Sequence, residues 1–413
     1  MTADSQSAPA AALAGIRVLD MSRVLAGPWC GQLLADLGAE VIKVERPGSG
    51  DDTRGWGPPY LTDRNGDETH ESAYYLSANR GKKSVTLDIA RPAGQALARR
   101  LAAQSDVLIE NYKAGDLTRY TLGYEQLREL NPGLIYCSIT GFGQTGPMRN
   151  VAGYDFIIQA MAGLMSITGE VAGRPGGGPQ RVGVAVADLS TGMYATVAIL
   201  AALFHRARTG AGQHIDMALL DTQIAMIANM NMNYLVSGSV PRRMGNAHAN
   251  IVPYQVFDAA DGQLVLAVGN DSQFAKFCEA AGCALHQDAR FRKNAARVRH
   301  RAVIVPLIAE IMRKRTVAQW VALLEPIGVP VGPINDLAQA FAQPQVRSRG
   351  LQLDLPHPLS GTVPSVANPI KMSATPMRYE SPPPLLGQHT QEVLGRLGID
   401  ERELEALARD GVI

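Results

Sequence analysis

Ile16-Arg17-Val18-Leu19-Asp20 opens the stretch that decides the fold, which ends at Glu45. This first segment has the apolar content of a short strand, and Glu40-Val41-Ile42-Lys43-Val44-Glu45 has that of a second. Between them, Pro28 suits the first turn of a helix and Gly38 suits its end. Strand, helix and strand in this order predict a βαβ unit, and such units build parallel sheets.

The same alternation of strands and helices continues as far as residue 139. Such alternation predicts an α/β large domain with a doubly wound parallel sheet. Ligands of these sheets bind beyond the carboxyl ends of the strands, where the loops 21–28, 111–115 and 140–147 fall. The first loop has one glycine and therefore lacks the GxGxxG pattern of a dinucleotide site. The further elements predicted are strands at 84–88, 107–110, 134–139 and 213–217 and helices at 92–103 and 116–130.

Changes in composition divide the chain after an Ala/Ser/Pro-rich N-terminal tail, residues 1–12, which we expect to be frayed. A second, smaller domain is predicted where the character of the sequence changes, near residue 250. The segments are a large α/β domain (13–205), a linker (206–245), a small α+β domain (246–340), a Pro-rich return linker (341–384) and C-terminal helices that complete the large domain (385–413).

The composition excludes several classes of partner. The chain is 46% hydrophobic and 19% charged, and its net charge of +1 provides no bulk field for nucleic acid or an anionic membrane. The four cysteines form no CxxC pair and the histidines no HExxH motif. We therefore predict free thiols, no metal site and a reducing, cytoplasmic location. The N-terminus has the character of neither a secretory signal nor a transit peptide.

Asp188 is the only charge in the apolar run from Val184 to Phe204. The run is about long enough to cross a bilayer, but Asp188, Ser190 and Thr191 within it favour a buried core helix and no membrane contact. A lone carboxylate in such a run costs free energy unless something stabilises it. Two interpretations stay open: a helix N-cap that binds free backbone N–H groups, or a nucleophile that the same helix terminus keeps ionised.

A series of short motifs in the right order resembles the family III CoA-transferases of the CaiB/BaiF type, which include formyl-CoA transferase. The resemblance covers residues 13–413, and the combination is specific although each motif alone is weak. The motifs are Leu13–Asp20 (LAGIRVLD), Ala26-Gly27-Pro28, Leu37–Glu45 (LGAEVIKVE), Ile109-Glu110-Asn111-Tyr112, Ala187–Gly192 (ADLSTG), Gly245-Asn246 and Pro384–Thr390 (PLLGQHT).

The resemblance implies an enzyme whose substrates are an acyl-CoA and a free carboxylic acid, with no tightly bound cofactor. It also implies that Asp188 is the nucleophile. Its carboxylate would attack the thioester, and the reaction would pass through an aspartyl anhydride and an aspartyl-CoA thioester. Members of the family form interlocked homodimers, in which each chain is threaded through a ring of its partner. We therefore expect the same architecture here.

Residue-by-residue matching to the family implies a set of CoA contacts. Arg and Lys suit the phosphates of CoA as a fork-shaped donor and a point charge respectively. The implied contacts are Val24 and Ala26 beside the adenine, Arg46 at the nucleotide, Asn111 and Tyr112 near the pantetheine and a phosphate, and Arg119 with Lys82 or Lys83 at the phosphates.

Within the family, Gly245-Asn246-Ala247-His248 and the segment 329–337 look most like the succinyl-CoA-dependent dicarboxylate transferases (succinate–hydroxymethylglutarate type). A second carboxylate on the substrate would need a cation, and the candidates are Arg23, Arg149 and Arg174.

The stretch Gly153-Tyr154-Asp155 separates this chain from the racemases that share the fold, which carry a histidine at the middle position. Tyrosine is a poor proton shuttle at neutral pH because its pKa is about 10. An acyl-CoA racemase or epimerase nevertheless stays an alternative, as does a non-catalytic CoA-binding subunit. The substrate contacts implied are Arg23, Tyr154, Gly245, Asn246 and His248.

Overall fold

A parallel sheet of six strands is the centre of the fold, in a computed structural model that describes residues 11–413. The prediction for residues 1–12 therefore lies almost wholly outside the described residues. The strands are β1 (Arg17–Asp20), β2 (Glu40–Glu45), β3 (Tyr60–Thr62), β4 (Glu68–Ser72), β5 (Lys82–Thr86), β6 (Val107–Glu110), β7 (Ile135–Thr140), β8 (Gln213–Ala218), β9 (Tyr254–Asp258), β10 (Gln263–Ala267), β11 (Val331–Pro333), β12 (Gln352–His357) and β13 (Gly361–Val366).

The helices alternate with these strands in the first half of the chain and dominate the second half. They are α1 (Ala26–Asp36), α2 (Ala73–Ser77), α3 (Pro92–Ala103), α4 (Tyr124–Leu130), α5 (Asp155–Met161), α6 (Leu164–Ile167), α7 (Val186–Thr209), α8 (Leu219–Met226), α9 (Asn229–Ser237), α10 (Asp271–Ala281), α11 (Asn294–Arg299), α12 (Arg301–Met312), α13 (Val317–Leu324), α14 (Leu337–Ala342), α15 (Pro344–Ser348), α16 (Thr390–Arg396) and α17 (Glu401–Arg409).

The strands of the large sheet lie in the order β5-β2-β1-β6-β7-β8, and every neighbouring pair is parallel. Counted along the chain, this is the 3-2-1-4-5-6 order of a doubly wound fold. The predicted α/β class with a large parallel sheet is therefore confirmed. The order reverses between β1 and β6, and ligands of such sheets bind in the crevice at that point.

Helices cover both faces of the sheet. Successive side chains of a strand point to opposite faces, so each strand contributes to both cores. In β1, Val18 belongs to one core cluster, with residues of α1 and α7. Leu19 belongs to the other cluster, with residues of α3, α4 and α16. The near-continuous burial of β2 and β6 follows from this arrangement.

Helix α7 packs closely against α1, and Gly192 makes the approach possible. A Cβ atom on Gly192 would lie 2.6 Å from the carbonyl oxygen of Ala26, which is too close for any side chain. By length and composition alone α7 could cross a membrane, and it is the one helix of residues 11–413 that could; half of its most apolar window is buried inside the protein. The apolar run around Asp188 is thus the packed helix that the sequence predicted.

The described chain forms two compact units, and their boundaries differ from the predicted domains. The large unit comprises the residues up to Leu164, Val182–Met232 and Gln345–Ile413. The second comprises Met165–Arg181 and Asn233–Pro344. The second unit has a three-stranded antiparallel sheet, β11-β10-β9, and its own apolar core of residues such as Phe274 and Trp320.

Two segments that were predicted as linkers carry regular structure. Residues 206–245 contain β8, which forms the edge of the large sheet, so this part of the chain is not a linker without a core of its own. Residues 341–384 contain the hairpin β12–β13. The Pro and polar content that indicated a linker is compatible with a two-stranded hairpin, because such a hairpin has exposed edges. The C-terminal helices contribute Val393 and Leu394 to the core of the large unit.

Candidate active site

A cavity of about 270 Å³ lies at the carboxyl ends of β1, β6 and β7, where the strand order reverses. Its walls come from the loops that follow these strands and from the first turn of α7, and all of its lining residues belong to the large unit. The lining includes Arg23, Val24, Leu25 and Ala26 after β1, Asn111 and Tyr112 after β6, Thr140 and Gly141 after β7, Arg149, Tyr154 and Asp188.

Asp188 is the third residue of α7 and is not its N-cap. The residue before the helix is Ala185, which has no side chain that could cap. The free N–H group of Ala187 donates instead to Oδ1 of Asp155, at 2.8 Å. The N-cap interpretation of Asp188 was therefore wrong: a carboxylate from α5 caps the helix and leaves that of Asp188 available.

The electrostatics of Asp188 also differ from the expectation that the helix terminus keeps it ionised. Burial, together with the neighbouring Asp155 carboxylate, raises the pKa of Asp188 to about 7. Among residues 11–413, the Asp188 side chain has no salt bridge to a lysine or arginine. Both causes oppose ionisation, so this carboxylate changes charge near neutral pH.

Four of the predicted CoA contacts share the cavity with Asp188: Val24, Ala26, Asn111 and Tyr112. Asn111 is fixed in place, because its Nδ2 donates to the carbonyl oxygen of Arg23 at 2.6 Å. The two positions after β1 and the two after β6 are far apart in the sequence, and the pairing of these strands where the strand order reverses brings them together. Their contact with CoA stays a prediction.

Arg46 lines a second cavity, of about 130 Å³, that shares Arg23 and Tyr112 with the first. The two cavities therefore adjoin at the Arg23 side chain. Arg119 lines neither cavity. Its guanidinium lies 4.7 Å from the ring centroid of Tyr120, which does line the second.

The two lysines predicted at the phosphates have other partners. Lys82 is fully buried; its Nζ pairs with Asp20 Oδ2 at 2.9 Å and donates to the carbonyl oxygen of Pro28 at 2.8 Å. A buried, paired ammonium has no surface to offer a phosphate, so the prediction for Lys82 was wrong. Lys83 pairs with Glu40 at 3.0 Å and with Glu392 at 2.8 Å, and it lines neither cavity.

Three of the residues predicted to meet the substrate line the Asp188 cavity: Arg23, Arg149 and Tyr154. The Arg23 guanidinium lies 3.1 Å from Asp52 and 5.5 Å from the ring centroid of Tyr112.

The other predicted substrate residues belong to the second unit: Gly245, Asn246, His248 and Arg174. Gly245 N donates to the carbonyl oxygen of Gly169 at 3.2 Å, and His248 N to that of Tyr254 at 2.9 Å. Arg174 lies 3.8 Å from Glu170. Their contact with a substrate stays a prediction.

Asp155 is the functional group that the sequence analysis missed. It stands beside Tyr154 in a stretch that had been compared with the racemases, but its sequence position gave no sign that it lies near Asp188. A carboxylate at the first residue of α5 is a weak sign of a helix N-terminus and no more. No group of His, Cys, Asp and Glu side chains within residues 11–413 could hold a metal ion.

The cavity and its carboxylate belong to a doubly wound α/β protein, with the crevice at the reversal of strand order. The profile of CoA-transferase family III matches residues 13–390. The chain therefore belongs to that family, and it is a CoA-transferase.

Curated relatives are named for the transfer of CoA between dicarboxylates. The chain is 54% identical over 391 residues to succinate–glutarate CoA-transferase of Agrobacterium fabrum, covering 94% of this chain and 96% of the relative. It is 45% identical to human succinyl-CoA:glutarate CoA-transferase, covering 97% and 90%.

A solved structure shares the fold along almost the whole chain. It is a CaiB/BaiF family protein from Brucella suis, with 48% identity and a TM-score of 0.81, covering 95% of this chain and 100% of that one.

Proposed function

We propose that the protein transfers CoA from succinyl-CoA, or another dicarboxylyl-CoA, to a free dicarboxylic acid of the glutarate class, with Asp188 as the nucleophile. The observation that carries the proposal is the placement of Asp188. It is an unpaired carboxylate at the first turn of α7, in one cavity with Val24, Ala26, Asn111 and Tyr112. The names of the relatives support the choice of acids.

The proposed reaction has four acyl-exchange steps. The first and last take place at the acyl carbons of the two substrates, and the middle two at the side-chain carboxyl carbon of Asp188. An Asp188 oxygen attacks the thioester carbonyl, CoA thiolate leaves, and a mixed anhydride forms. The thiolate then attacks the aspartyl carbonyl, which releases succinate and leaves an aspartyl-CoA thioester. The acceptor carboxylate attacks this thioester, which expels the thiolate again and forms a second mixed anhydride. Attack of the thiolate on the acceptor's acyl carbon forms the new acyl-CoA and restores Asp188.

The raised pKa of Asp188 suits these steps. A more basic carboxylate is a better nucleophile towards a thioester, and at neutral pH a substantial fraction is ionised because the pKa is about 7.

The second carboxylate of the substrate is assigned to Arg149 and Arg23, the two guanidinium groups of this cavity that the sequence analysis proposed. Each can bind a carboxylate in a bidentate manner. Arg23 already pairs with the exposed Asp52, so a substrate would compete with that side chain.

The test is to incubate the protein with succinyl-CoA and a panel of mono- and dicarboxylic acids and to follow new CoA esters by mass spectrometry. Glutarate and its neighbours in length should be the best acceptors. Hydroxylamine should trap Asp188 during turnover, and peptide mapping locates the adduct. Turnover without any label on Asp188 would refute the covalent mechanism.

The racemase alternative is separated by deuterium. A racemase or epimerase exchanges the α-proton of a branched acyl-CoA in D₂O without an acceptor acid, whereas the proposed transferase does not. Tyr154 in the cavity supports transfer, because a phenol shuttles protons poorly at neutral pH. A non-catalytic subunit would show neither reaction.

We further propose that the enzyme is an interlocked homodimer in the cytoplasm. Apolar side chains on one face of α7, Met193, Val197 and Phe204, are between 49% and 64% exposed, and a second copy of the chain would cover them. The free cysteines are compatible with a reducing compartment. A stable monomer in sedimentation experiments would contradict the dimer.

A further inference from the structure

The loop that joins β1 to α1 has its backbone fixed by side chains from other segments. Ser22 N donates to Oδ1 of Asp20 at 3.0 Å, and Nζ of Lys43 donates to the Ser22 carbonyl oxygen at 2.9 Å. The packing of Ser22 against α1 needs the glycine at position 27, because a Cβ there would lie 2.2 Å from Ser22 Oγ. The start of the loop is thus held from two strands.

The next two residues are held as well. Arg23 N donates to Oδ1 of Asn111 at 2.9 Å, and Nδ2 of Asn111 donates back to the Arg23 carbonyl oxygen at 2.6 Å. Val24 N donates to Oδ1 of Asp51 at 3.2 Å. Three consecutive residues that lead into the Asp188 cavity are therefore tied to four side chains outside the loop.

Val24 has a backbone conformation that its side chain disfavours. Its φ angle is 71°, in the left-handed region, where residues branched at Cβ are outliers. Such a conformation persists only where the surroundings over-determine it, and it concentrates at functional sites. The hydrogen bond from Val24 to Asp51 is the contact that acts directly on this peptide unit.

Asp51 is itself held rigidly. Its Oδ2 accepts from Nζ of Lys43 at 2.8 Å, both side chains are fully buried, and its Oδ1 accepts from Thr53 N at 3.0 Å. Burial opposes ionisation, but Lys43 and the hydrogen bonds of Thr53 outweigh it and lower the pKa of Asp51 to about 2. The anchor for Val24 is therefore a fixed charge at every working pH.

We infer that Lys43 and Asp51 are positioning residues that hold Val24 in the left-handed conformation and so preform the acyl-CoA side of the Asp188 cavity. The inference rests on the proposed function in taking this cavity as the acyl-CoA site. Without the anchor, Val24 relaxes to negative φ and moves its neighbours in the cavity wall. Acyl-CoA must then restore the loop when it binds, so KM rises while the chemistry after binding changes little.

The experiment is a double-mutant cycle of Asp51→Asn and Val24→Gly. The readouts are the Kd of free CoA by calorimetry and kcat and KM with succinyl-CoA and glutarate. In Asp51→Asn the one amide oxygen turns to the Lys43 ammonium and Nδ2 faces Val24 N, which loses its acceptor. This variant should raise Kd and KM about tenfold with kcat changed less than about threefold. In the Val24→Gly background the same change should raise them less than about threefold, because glycine adopts a φ of 71° without an anchor.

Equal effects of Asp51→Asn in both backgrounds would overturn the inference, because Asp51 would then act only through general stability. Asp67→Asn is the matched control: its side chain is exposed, lines neither cavity and makes no contact with Val24 N, so Kd should not change. The calorimetric measurement needs no turnover. A failure of the proposed chemistry at Asp188 therefore leaves this test intact.

If Asp51→Asn does not yield folded protein, Val24→Gly and Val24→Ala decide the question. At an ordinary position the glycine variant is the less stable of the two. At a strained left-handed position the order reverses, so Val24→Gly should melt at the higher temperature and Val24→Ala at the lower. The ordinary order would overturn the inference.

Discussion

Two groups of acidic side chains near the first loop and the start of α7 differ in their partners: one is fully buried and paired with lysines, and the other is partly buried beside a second carboxylate. Beneath the first loop, Lys43 pairs with Asp51 at 2.8 Å and Lys82 with Asp20 at 2.9 Å, and all four side chains are fully buried. At the start of α7, Asp188 has another carboxylate for a neighbour and pairs with no cation among residues 11–413.

The comparison shows how one environment can serve two purposes. Where a cation is adjacent, its attraction overcomes burial and lowers the pKa of Asp51 to about 2, so the charge is permanent and can hold backbone. Where it is missing, burial prevails and raises the pKa of Asp188 to about 7, so the group is basic enough to react. Pairing with a lysine fixes the charge of Asp51, and in the proposed mechanism the lack of such a pair leaves Asp188 available as the nucleophile.

The largest effect is expected at the unpaired carboxylate. Asp188→Asn should lower kcat roughly 10³-fold or more, because the amide has no anionic oxygen to attack the thioester. Initial rates with succinyl-CoA and glutarate measure the loss. The melting temperature at pH 8 should not fall, since the amide removes a buried charge. A variant with a tenth of the normal rate would exclude Asp188 as the nucleophile.

A substitution in the Lys43–Asp51 pair should lower the free energy of unfolding. Asp51→Asn leaves Lys43 buried with one partner fewer and should lower the free energy of unfolding by about 3–5 kcal/mol. Asp52→Asn removes only an exposed partner of Arg23 and should cost less than about 1 kcal/mol. Urea unfolding of the two neighbouring variants measures the difference. Equal losses of unfolding free energy in the two variants would show that the buried Lys43–Asp51 pair matters no more for stability than the exposed Arg23–Asp52 pair.

Glu110 extends the comparison, because it is buried and, like Asp188, pairs with no cation among residues 11–413. Burial raises its pKa to about 7, although Ser138 and the backbone N–H of Tyr112 donate to it. An acid whose pKa is raised on folding loses stability as pH rises from the unfolded value, about 4.3, to the folded one. Glu110→Gln should therefore stabilise the protein by about 1–3 kcal/mol at pH 8. The gain should be smaller at pH 5, and thermal unfolding at both values checks the sign.

The smallest effect is expected from the charge next to Asp188. Because the carboxylate form reacts, kcat/KM should rise as pH rises through about 7 and level off above it. Asp155→Asn keeps an oxygen that can accept from Ala187 N but removes the negative charge. The rise should move to lower pH, only partly, since burial is the larger cause. An unchanged profile would mean that Asp155 acts only as the helix cap.

Much of the fold could be predicted from the sequence because its elements are local patterns. The strands Glu40–Glu45 and Val107–Glu110 and the helix Pro92–Ala103 have the bounds that periodicity and Pro placement predicted. A strand was predicted at 213–217, close to β8, but the segment around it was taken as a linker because a local pattern does not show that β8 joins the large sheet. The hairpin β12–β13 fell in the other segment taken as a linker, since Pro-rich strands lack a strong apolar pattern.

The residues of the candidate site could be predicted only where they belong to a recognisable local sequence pattern. Asp188 stood out as a charge in an apolar run, and the loops after β1 and β6 followed from the βαβ pattern. Lys82 shows the limit: in sequence it is one of two adjacent lysines, and only the fold shows that its ammonium is buried against Asp20. Asp155 as a cap and neighbour could not be foreseen for the same reason.

By itself, the sequence determined a doubly wound α/β chain and an acid placed near a helix terminus, because periodicity and helix boundaries are local properties. Tertiary structure decided the ionisation of that acid and the conformation of the loop opposite it. The pKa of Asp188 depends on burial and on a carboxylate 33 residues away in the chain, and Val24 depends on Asp51 of another segment. Electrostatic and backbone constraints of this kind arise only when distant segments meet.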